Sequence, residues 1–131
     1  MEKYIEEFLK KHDICRLATA GNDCMPHVVP VSYIYYDEKI YISTDFGTKK
    51  LKNIKENPKA AVVVDDVNPN KGILVWGMVK LIEKGQEYKK IYELFYKKFP
   101  WVRANPWKEG EAPFIEIEPI GSASWGLRTS L

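Results

Sequence analysis

Short segments in which apolar residues recur at every second position constrain the fold of this chain more than any other feature. The clearest segment is residues 73–82, whose alternating positions are Ile73, Val75, Gly77, Val79 and Leu81. This period predicts β-strands, and further strands are predicted at residues 14–20, 27–36, 40–44, 60–65, 114–118 and 122–127. Turn residues at 21–23 and 37–39 join the first three strands as an antiparallel meander.

Three segments carry the helical period instead. Residues 2–11, 51–57 and 86–99 place their apolar side chains on one face. Six or seven antiparallel strands with a few peripheral helices predict a mainly β fold, because strands in that number most often close into a small barrel. Residues 101–113 contain several Pro and Gly residues without periodicity and are expected to form a surface loop or lid. We expect residues 1–131 to form one domain.

Composition excludes several classes of protein. The 131 residues are 45% hydrophobic and carry a net charge of +2, which is typical of a globular domain and not of a dedicated nucleic-acid-binding protein. Two cysteines cannot form a disulfide framework, so a reducing compartment is expected. Acidic residues interrupt the N-terminal segment and no apolar run reaches membrane-spanning length, so we expect a cytoplasmic protein that does not enter the membrane.

Common sequence motifs of enzymes are missing. The chain has no GxGxxG, GxxxxGK, HExxH or GxSxG segment, and no catalytic residue is assigned. His12 and His27 have no cysteine or acid at ligand spacing, so no metal site is expected. For Cys24 and His27, a turn cysteine and a strand-edge histidine are favoured over a nucleophilic pair.

One segment combines residue types that suit an anion. Residues 43–50 read Ser-Thr-Asp-Phe-Gly-Thr-Lys-Lys, which places hydroxyl groups at a strand end and two lysines in the first turn of a helix. A cation is unfavourable at a helix N-terminus because of the helix dipole, unless an anion lies between them. The segment therefore predicts a phosphate site, although a solvated lysine pair also explains the charges.

A proline lies within the predicted strand at residues 27–36. Proline has no N–H group to donate to a neighbouring strand, so Pro30 is expected at an edge, at a bulge, or beside something other than a strand. A flat aromatic cofactor whose ring edge accepts backbone hydrogen bonds would suit this position. An edge strand at a barrel opening explains the proline as well.

Several blocks of the sequence resemble, in order and spacing, those of the pyridoxamine 5′-phosphate oxidase-like, FMN-binding split-barrel proteins. The blocks lie within residues 5–82 and are Arg16-Leu17-Ala18-Thr19, Pro26-His27-Val28-Val29-Pro30-Val31, Ser43-Thr44, Thr48-Lys49-Lys50 and Asn57-Pro58. The resemblance implies a split β-barrel homodimer with FMN in a groove between its subunits.

The same resemblance implies which residues hold FMN. The residues implied to lie along the isoalloxazine ring are Val29, Pro30, Val31 and Ser32, and those implied to approach or bind the phosphate are Ser43, Thr44, Thr48, Lys49 and Lys50. Lys49 replaces an arginine that is frequent in the family and keeps its charge without the planar fork.

The C-terminal part departs further from the family. Trp125 would either stack near the flavin of the partner subunit or plug the end of the barrel. The Trp and Arg pattern by which the oxidase that gives the family its name holds pyridoxal phosphate is not recognisable beyond Trp125 and Arg128. The resemblance therefore does not imply that this chain oxidises vitamin B6. Of the other tryptophans, Trp76 is expected in the core, and Trp101 and Trp107 in a lid or dimer contact.

These observations lead to the hypothesis of an FMN-dependent oxidoreductase, which passes electrons from a reduced nicotinamide-type donor to a small-molecule acceptor. A deazaflavin or haem in the same groove is an alternative. A different alternative is a barrel that binds single-stranded nucleic acid and offers Tyr33, Tyr35, Tyr36 and Tyr41 as stacking faces. The near-neutral net charge disfavours nucleic acid.

Overall fold

The computed structural model describes residues 1–127 of the chain, which contain six strands and four helices joined by loops. The strands are β1 (Ile14–Thr19), β2 (His27–Tyr36), β3 (Lys39–Ser43), β4 (Lys59–Val67), β5 (Asn70–Ile82) and β6 (Phe114–Trp125). The helices are α1 (Lys3–Lys11), α2 (Lys49–Glu56), α3 (Gln86–Lys98) and α4 (Pro100–Ala104). The strands close into an antiparallel barrel in the order β1-β2-β3-β6-β5-β4, which confirms the predicted mainly β barrel. No helix in this part of the chain is long and apolar enough to cross a lipid bilayer.

The predicted C-terminal strands at residues 114–118 and 122–127 are a single strand, β6. The register between β5 and β6 shifts at Trp76 and Gly77, and this bulge lets β6 continue past Pro119. β6 therefore pairs with β5 over its whole length and with β3 only near its start.

Two predicted loops contain more regular structure than expected. β4 and β5 extend to the pair Val67 and Asn70, so the predicted loop at residues 66–72 shrinks to the two residues between them. The predicted lid at residues 101–113 begins within α4, and Trp107 anchors its later part to the side of the barrel that α3 covers.

Two apolar clusters hold these elements together. The first fills the barrel, where side chains such as Leu17, Ile42 and Val75 are fully buried. The second lies between the barrel wall and α3, and Phe95 and Phe114 are fully buried within it. Burial of one such side chain stabilises the fold by about 1.5–3 kcal/mol. The second cluster fixes α3 and α4 beside the C-terminal end of β3.

β2 pairs with a different neighbouring strand in each part of its length. Its residues 27–32 pair with β1, whereas β3 pairs with residues 33–36 alone. The Tyr33 N–H donates to the Asp13 carbonyl at 3.1 Å. Because hydrogen-bonding directions alternate along an antiparallel strand, the nitrogen of Pro30 faces the unpaired edge. Pro30 therefore removes no inter-strand hydrogen bond, and of the three positions that the sequence left open it occupies the strand edge.

Candidate functional site at the end of β3

The predicted phosphate segment connects β3 to α2. Ser43 is the last residue of β3 and pairs with β6. Thr48 caps α2, since its hydroxyl oxygen accepts the Leu51 N–H at 3.4 Å and its O–H donates to the Asp45 carbonyl at 3.2 Å. The hydroxyl of the buried Thr44 lies 3.4 Å from that of Thr48. The connection thus holds several hydroxyl groups beside the first turn of α2.

Two side-chain amides fix the position of α2 against the barrel. Asn53 is fully buried, and its Nδ2 donates to the Thr19 hydroxyl at 3.1 Å. Asn57 Nδ2 donates to the Ala20 carbonyl at 3.0 Å. Since both acceptors lie at the end of β1, these bonds determine where the N-terminus of α2 points.

A cleft of about 420 Å³ opens beside the connection from β3 to α2. It is lined by Ser43, Thr44, Asp45, Lys50, Trp101, Asn105, Trp107, Glu111 and Ala112. One wall carries hydroxyl, carboxylate and ammonium groups, and the other is formed by α4 and the loop that follows it. Sites for small molecules have volumes in this range. The structure therefore brings Ser43, Thr44 and Lys50 together, as the sequence predicted.

Lys49 lines a different surface from Lys50. It lies with Thr48, Lys52 and Lys55 along an open groove on α2. Neighbouring residues on a helix project about 100° apart, so the two ammonium groups diverge instead of converging on one anion. Only Lys50 of this pair reaches the cleft.

The four predicted ring contacts on β2 separate into two faces. Val29 and Val31 face the inner side of the barrel, because the residues opposite them on β1 are fully buried. Pro30 and Ser32 face outward, and the exposed Val28 shares their face. A ligand at the free edge would therefore meet the backbone of β2 and the side chains of Pro30 and Ser32.

Trp125 lies far from the cleft of its own chain. Its indole N–H donates to Asn70 Oδ1 at 3.1 Å, and its ring lies against Gly72. The cleft borders the opposite end of β6, about 35 Å away along the 12-residue strand. Any contact between Trp125 and a ligand at the cleft would have to come from another subunit.

The lid side of the cleft carries functional candidates that sequence reasoning did not assign to a site. Trp101 and Trp107 stack with ring centroids 6.0 Å apart and planes 14° apart. The Trp107 indole N–H donates to the Tyr88 hydroxyl at 2.7 Å, and that hydroxyl donates to the Ala112 carbonyl. Burial raises the pKa of Tyr88, which keeps its hydroxyl protonated. The only sequence signal for this wall was the density of Trp and Pro residues in the predicted lid.

An apolar row crosses the outer face of five strands. Each member pairs with the next one across two neighbouring strands. In order around the barrel, the members are Val28, Ala18, Ala61, Trp76 and Gly121. Trp76 is 40% exposed, so the expectation that it packs in the core was wrong. The strand alternation places its neighbour Val75 inside the barrel and Trp76 outside.

The stacking residues expected of a nucleic-acid-binding barrel are mostly inaccessible. Tyr33, Tyr35 and Tyr41 are buried, and only Tyr36 of the proposed set is exposed. A base needs an open aromatic face to stack on, so this alternative loses the residues on which it depended.

The chain is similar to known proteins in sequence and fold. A family model described as "Pyridoxamine 5'-phosphate oxidase" matches residues 1–124. The pyridoxine/pyridoxamine 5′-phosphate oxidase of Aliarcobacter butzleri (strain RM4018) is 31% identical over 86 residues, which cover 65% of this chain and 41% of that protein. The chain therefore matches less than half the length of this relative.

Two solved structures share the fold. HutZ, the haem storage protein from Vibrio cholerae, superposes with a TM-score of 0.82 at 14% identity, covering 96% of this chain and 95% of its own. A putative pyridoxamine 5′-phosphate oxidase from Listeria innocua superposes with a TM-score of 0.75 at 18% identity, covering 90% of this chain and 92% of its own. At these identities the likeness concerns architecture, and function has to be argued from the site.

Proposed function

Because the chain belongs to the pyridoxamine 5′-phosphate oxidase family, we propose that it binds FMN and passes electrons from a reduced nicotinamide-type donor to a small-molecule acceptor. FMN, when bound, supplies the hydride and electron transfer. The protein then has to hold the cofactor, orient it and limit the access of water. The observation that carries the proposal is the cleft at the end of β3, where hydroxyl and ammonium groups meet beside a helix N-terminus.

The groups at this wall fit a phosphate. Ser43 and Thr44 offer hydroxyl donors, and Lys50 offers a cation. The backbone N–H groups of Lys49 and Lys50 begin α2 and have no partner within the helix, and such groups favour phosphate oxygens. The carboxylate of Asp45 opposes the anion, so we assign most of the attraction to Lys50 and the backbone donors.

The cleft suits a phosphate-bearing cofactor better than haem. Haem iron is usually held by His, Cys, Met or Tyr, and none of the side chains that line the cleft is of these types. His12 is engaged elsewhere, with Nδ1 2.8 Å from the Phe8 carbonyl and Nε2 2.9 Å from Asp66. Haem binding, suggested by the description of HutZ, is therefore our second candidate.

We further propose that the functional unit is a homodimer formed through the outer apolar row. Val28 and Trp76 at this face are 61% and 40% exposed, and Met78 and Ile120 nearby are exposed as well. A contiguous apolar patch of this kind typically marks a protein interface. Since Val28 begins the row and lies on the free part of β2, the groove between two subunits would be bounded by that edge. Trp125 would reach the cofactor of the partner subunit in such a dimer.

The experiment that tests the proposal is an absorbance spectrum of the purified protein, with mass spectrometry of whatever co-purifies. We expect flavin bands in the absorbance spectrum and the mass of FMN in the mass spectrum. A Soret band with haem would favour the second candidate. A colourless protein that shows no heat of binding when titrated with FMN would reject the proposal.

A further inference from the structure

The cleft extends beyond the groups that an FMN phosphate would occupy. Ser43, Thr44 and Lys50 form one wall, whereas α4 and the following loop form the other. None of the residues that line the cleft belongs to β2. A flavin ring lying along β2, as the family resemblance implies, would therefore leave the α4 side of the cleft open for another group.

The open side is walled by a fixed aromatic surface. Trp101 is 41% exposed and stacks on Trp107. Trp107 is held in turn by its hydrogen bond to Tyr88 and by an edge contact with Tyr92, with centroids 4.9 Å apart at 84°. Because Trp107 is restrained on two sides, the exposed face of Trp101 needs little reordering before a planar ring stacks on it.

Polar groups from both walls of the cleft select the kind of ring. Asp45 and Glu111 place two carboxylates at the cleft, which disfavours an extension that carries further negative charge. Within residues 1–127, no hydrogen bond engages the side-chain amide of Asn105. An exocyclic amino group on a ring can donate to these carboxylates, and a ring nitrogen can accept from the amide N–H groups of Asn105.

We infer that the α4 side of the cleft binds the purine ring of an adenosine phosphate, stacked on Trp101, with the phosphate towards the Ser43–Lys50 wall. The inference rests on the proposed function, because that function puts a phosphate at this wall. Two kinds of molecule contain this adenosine phosphate. One is a flavin dinucleotide, and the other is a nicotinamide dinucleotide that acts as the electron donor.

Adenosine 5′-monophosphate is the probe that tests the inference. Titration calorimetry of the purified protein without flavin should show AMP binding at least about fivefold more tightly than inorganic phosphate, because base stacking adds to the phosphate contacts. Trp101→Leu should weaken AMP binding by about 5- to 150-fold, as expected for the loss of one stacked base. Trp101→Phe should restore part of the affinity.

Tyr96 offers a matched control. It is 42% exposed against 41% for Trp101, but it does not line the cleft. Tyr96→Leu should leave AMP affinity unchanged. Equal affinities for AMP and phosphate would overturn the inference, and so would unchanged AMP binding by a Trp101→Leu protein that keeps the circular dichroism spectrum of the parent.

FMN titration separates this inference from the proposed function. A protein that binds FMN but not AMP contradicts only the adenosine site, whereas one that binds no FMN contradicts the proposed function. Because AMP and FMN would both place a phosphate at the Ser43–Lys50 wall, FMN should displace AMP, and simultaneous binding of the two would overturn the inference. FAD bound more tightly than FMN would support the flavin dinucleotide as the source of the adenosine. FAD bound no more tightly than FMN, with AMP displaced by NADH, would support the nicotinamide donor.

Discussion

Lys50 and Lys49 are adjacent in sequence but point to different surfaces, which makes them a matched pair for testing the phosphate site. Lys50→Ala should weaken FMN binding by about tenfold or more, because a hydrogen bond to a charged group contributes about 1.5–3 kcal/mol. Lys49→Ala should cost less than about threefold, since its ammonium group lines the other groove and interacts mainly with solvent. Calorimetric titration of both variants with FMN measures the difference. The opposite order would place the phosphate in the groove along α2.

The residues of the two cleft walls differ in how far the sequence could predict them. Ser43, Thr44 and Lys50 lie close together in the chain, so their chemistry was readable as one segment. Trp101 and Asn105 come from more than 50 residues further along, and only the packing of α3 and α4 brings them to the cleft. The divergence of Lys49 from Lys50 follows from the helix itself and could have been predicted from its 100° spacing.

At the scale of elements, the bulge between β5 and β6 depends on two glycines with different neighbours. A Cβ atom at Gly77 would collide with the backbone oxygen of Glu118, whereas one at Gly121 would meet the ring of the half-exposed Trp76 at 2.5 Å. Backbone cannot move aside as a surface side chain can. Gly77→Ala should therefore lower the free energy of unfolding by about 3 kcal/mol, near the upper end for overpacking, and Gly121→Ala by clearly less.

Urea unfolding followed by circular dichroism measures both changes. Equal losses of unfolding free energy in the two glycine variants would mean that the strand backbone adjusts at the bulge.

The alternation of apolar residues predicted all six strands, because each strand has one buried face. It missed the continuity of β6, since Pro119 and Gly121 are ordinarily signals for a break. A bulge accommodates both residues, and whether a bulge forms depends on the partner strand β5 and not on the local sequence. The loop between β4 and β5 is shorter than predicted for a similar reason, because the polar residues Asp66 and Lys71 pair across the hairpin.

At the scale of the whole molecule, buried tyrosines should make the fold sensitive to alkaline pH. Burial is the main cause that raises the pKa above its ordinary value of 10.0 for Tyr33, Tyr35, Tyr41 and Tyr88. Burial also raises the pKa of the Cys15 thiol to about 12. These groups ionise more readily in the unfolded chain, so their stabilising contribution is complete at neutral pH and is lost as pH rises above their ordinary pKa values.

Burial lowers the pKa of Lys98, so this group by itself makes the fold more stable as the pH rises. The four tyrosines and Cys15 have the opposite effect and outnumber it. The urea midpoint should therefore fall between about pH 8 and about pH 11, the range in which free tyrosines ionise. A midpoint that stays constant or rises across this range would contradict the prediction.

The outer apolar row makes the assembly state testable as well. Trp76→Glu places a charge in the middle of the proposed interface and should convert the dimer to a monomer, as measured by light scattering after size-exclusion chromatography. Tyr96→Glu changes an equally exposed aromatic residue on α3 and should leave the dimer intact. If Trp76→Glu also remains dimeric, the subunits associate through another face.

The partly unpaired β2 also bears on solubility. An exposed strand edge offers a row of backbone groups to which the strand of another molecule can add, and such addition is a route to aggregation. Pro30 interrupts that row at its centre, because it presents a carbonyl but no N–H group. The protein can thus keep a length of main chain open to a small ligand while a foreign strand finds no continuous ladder there.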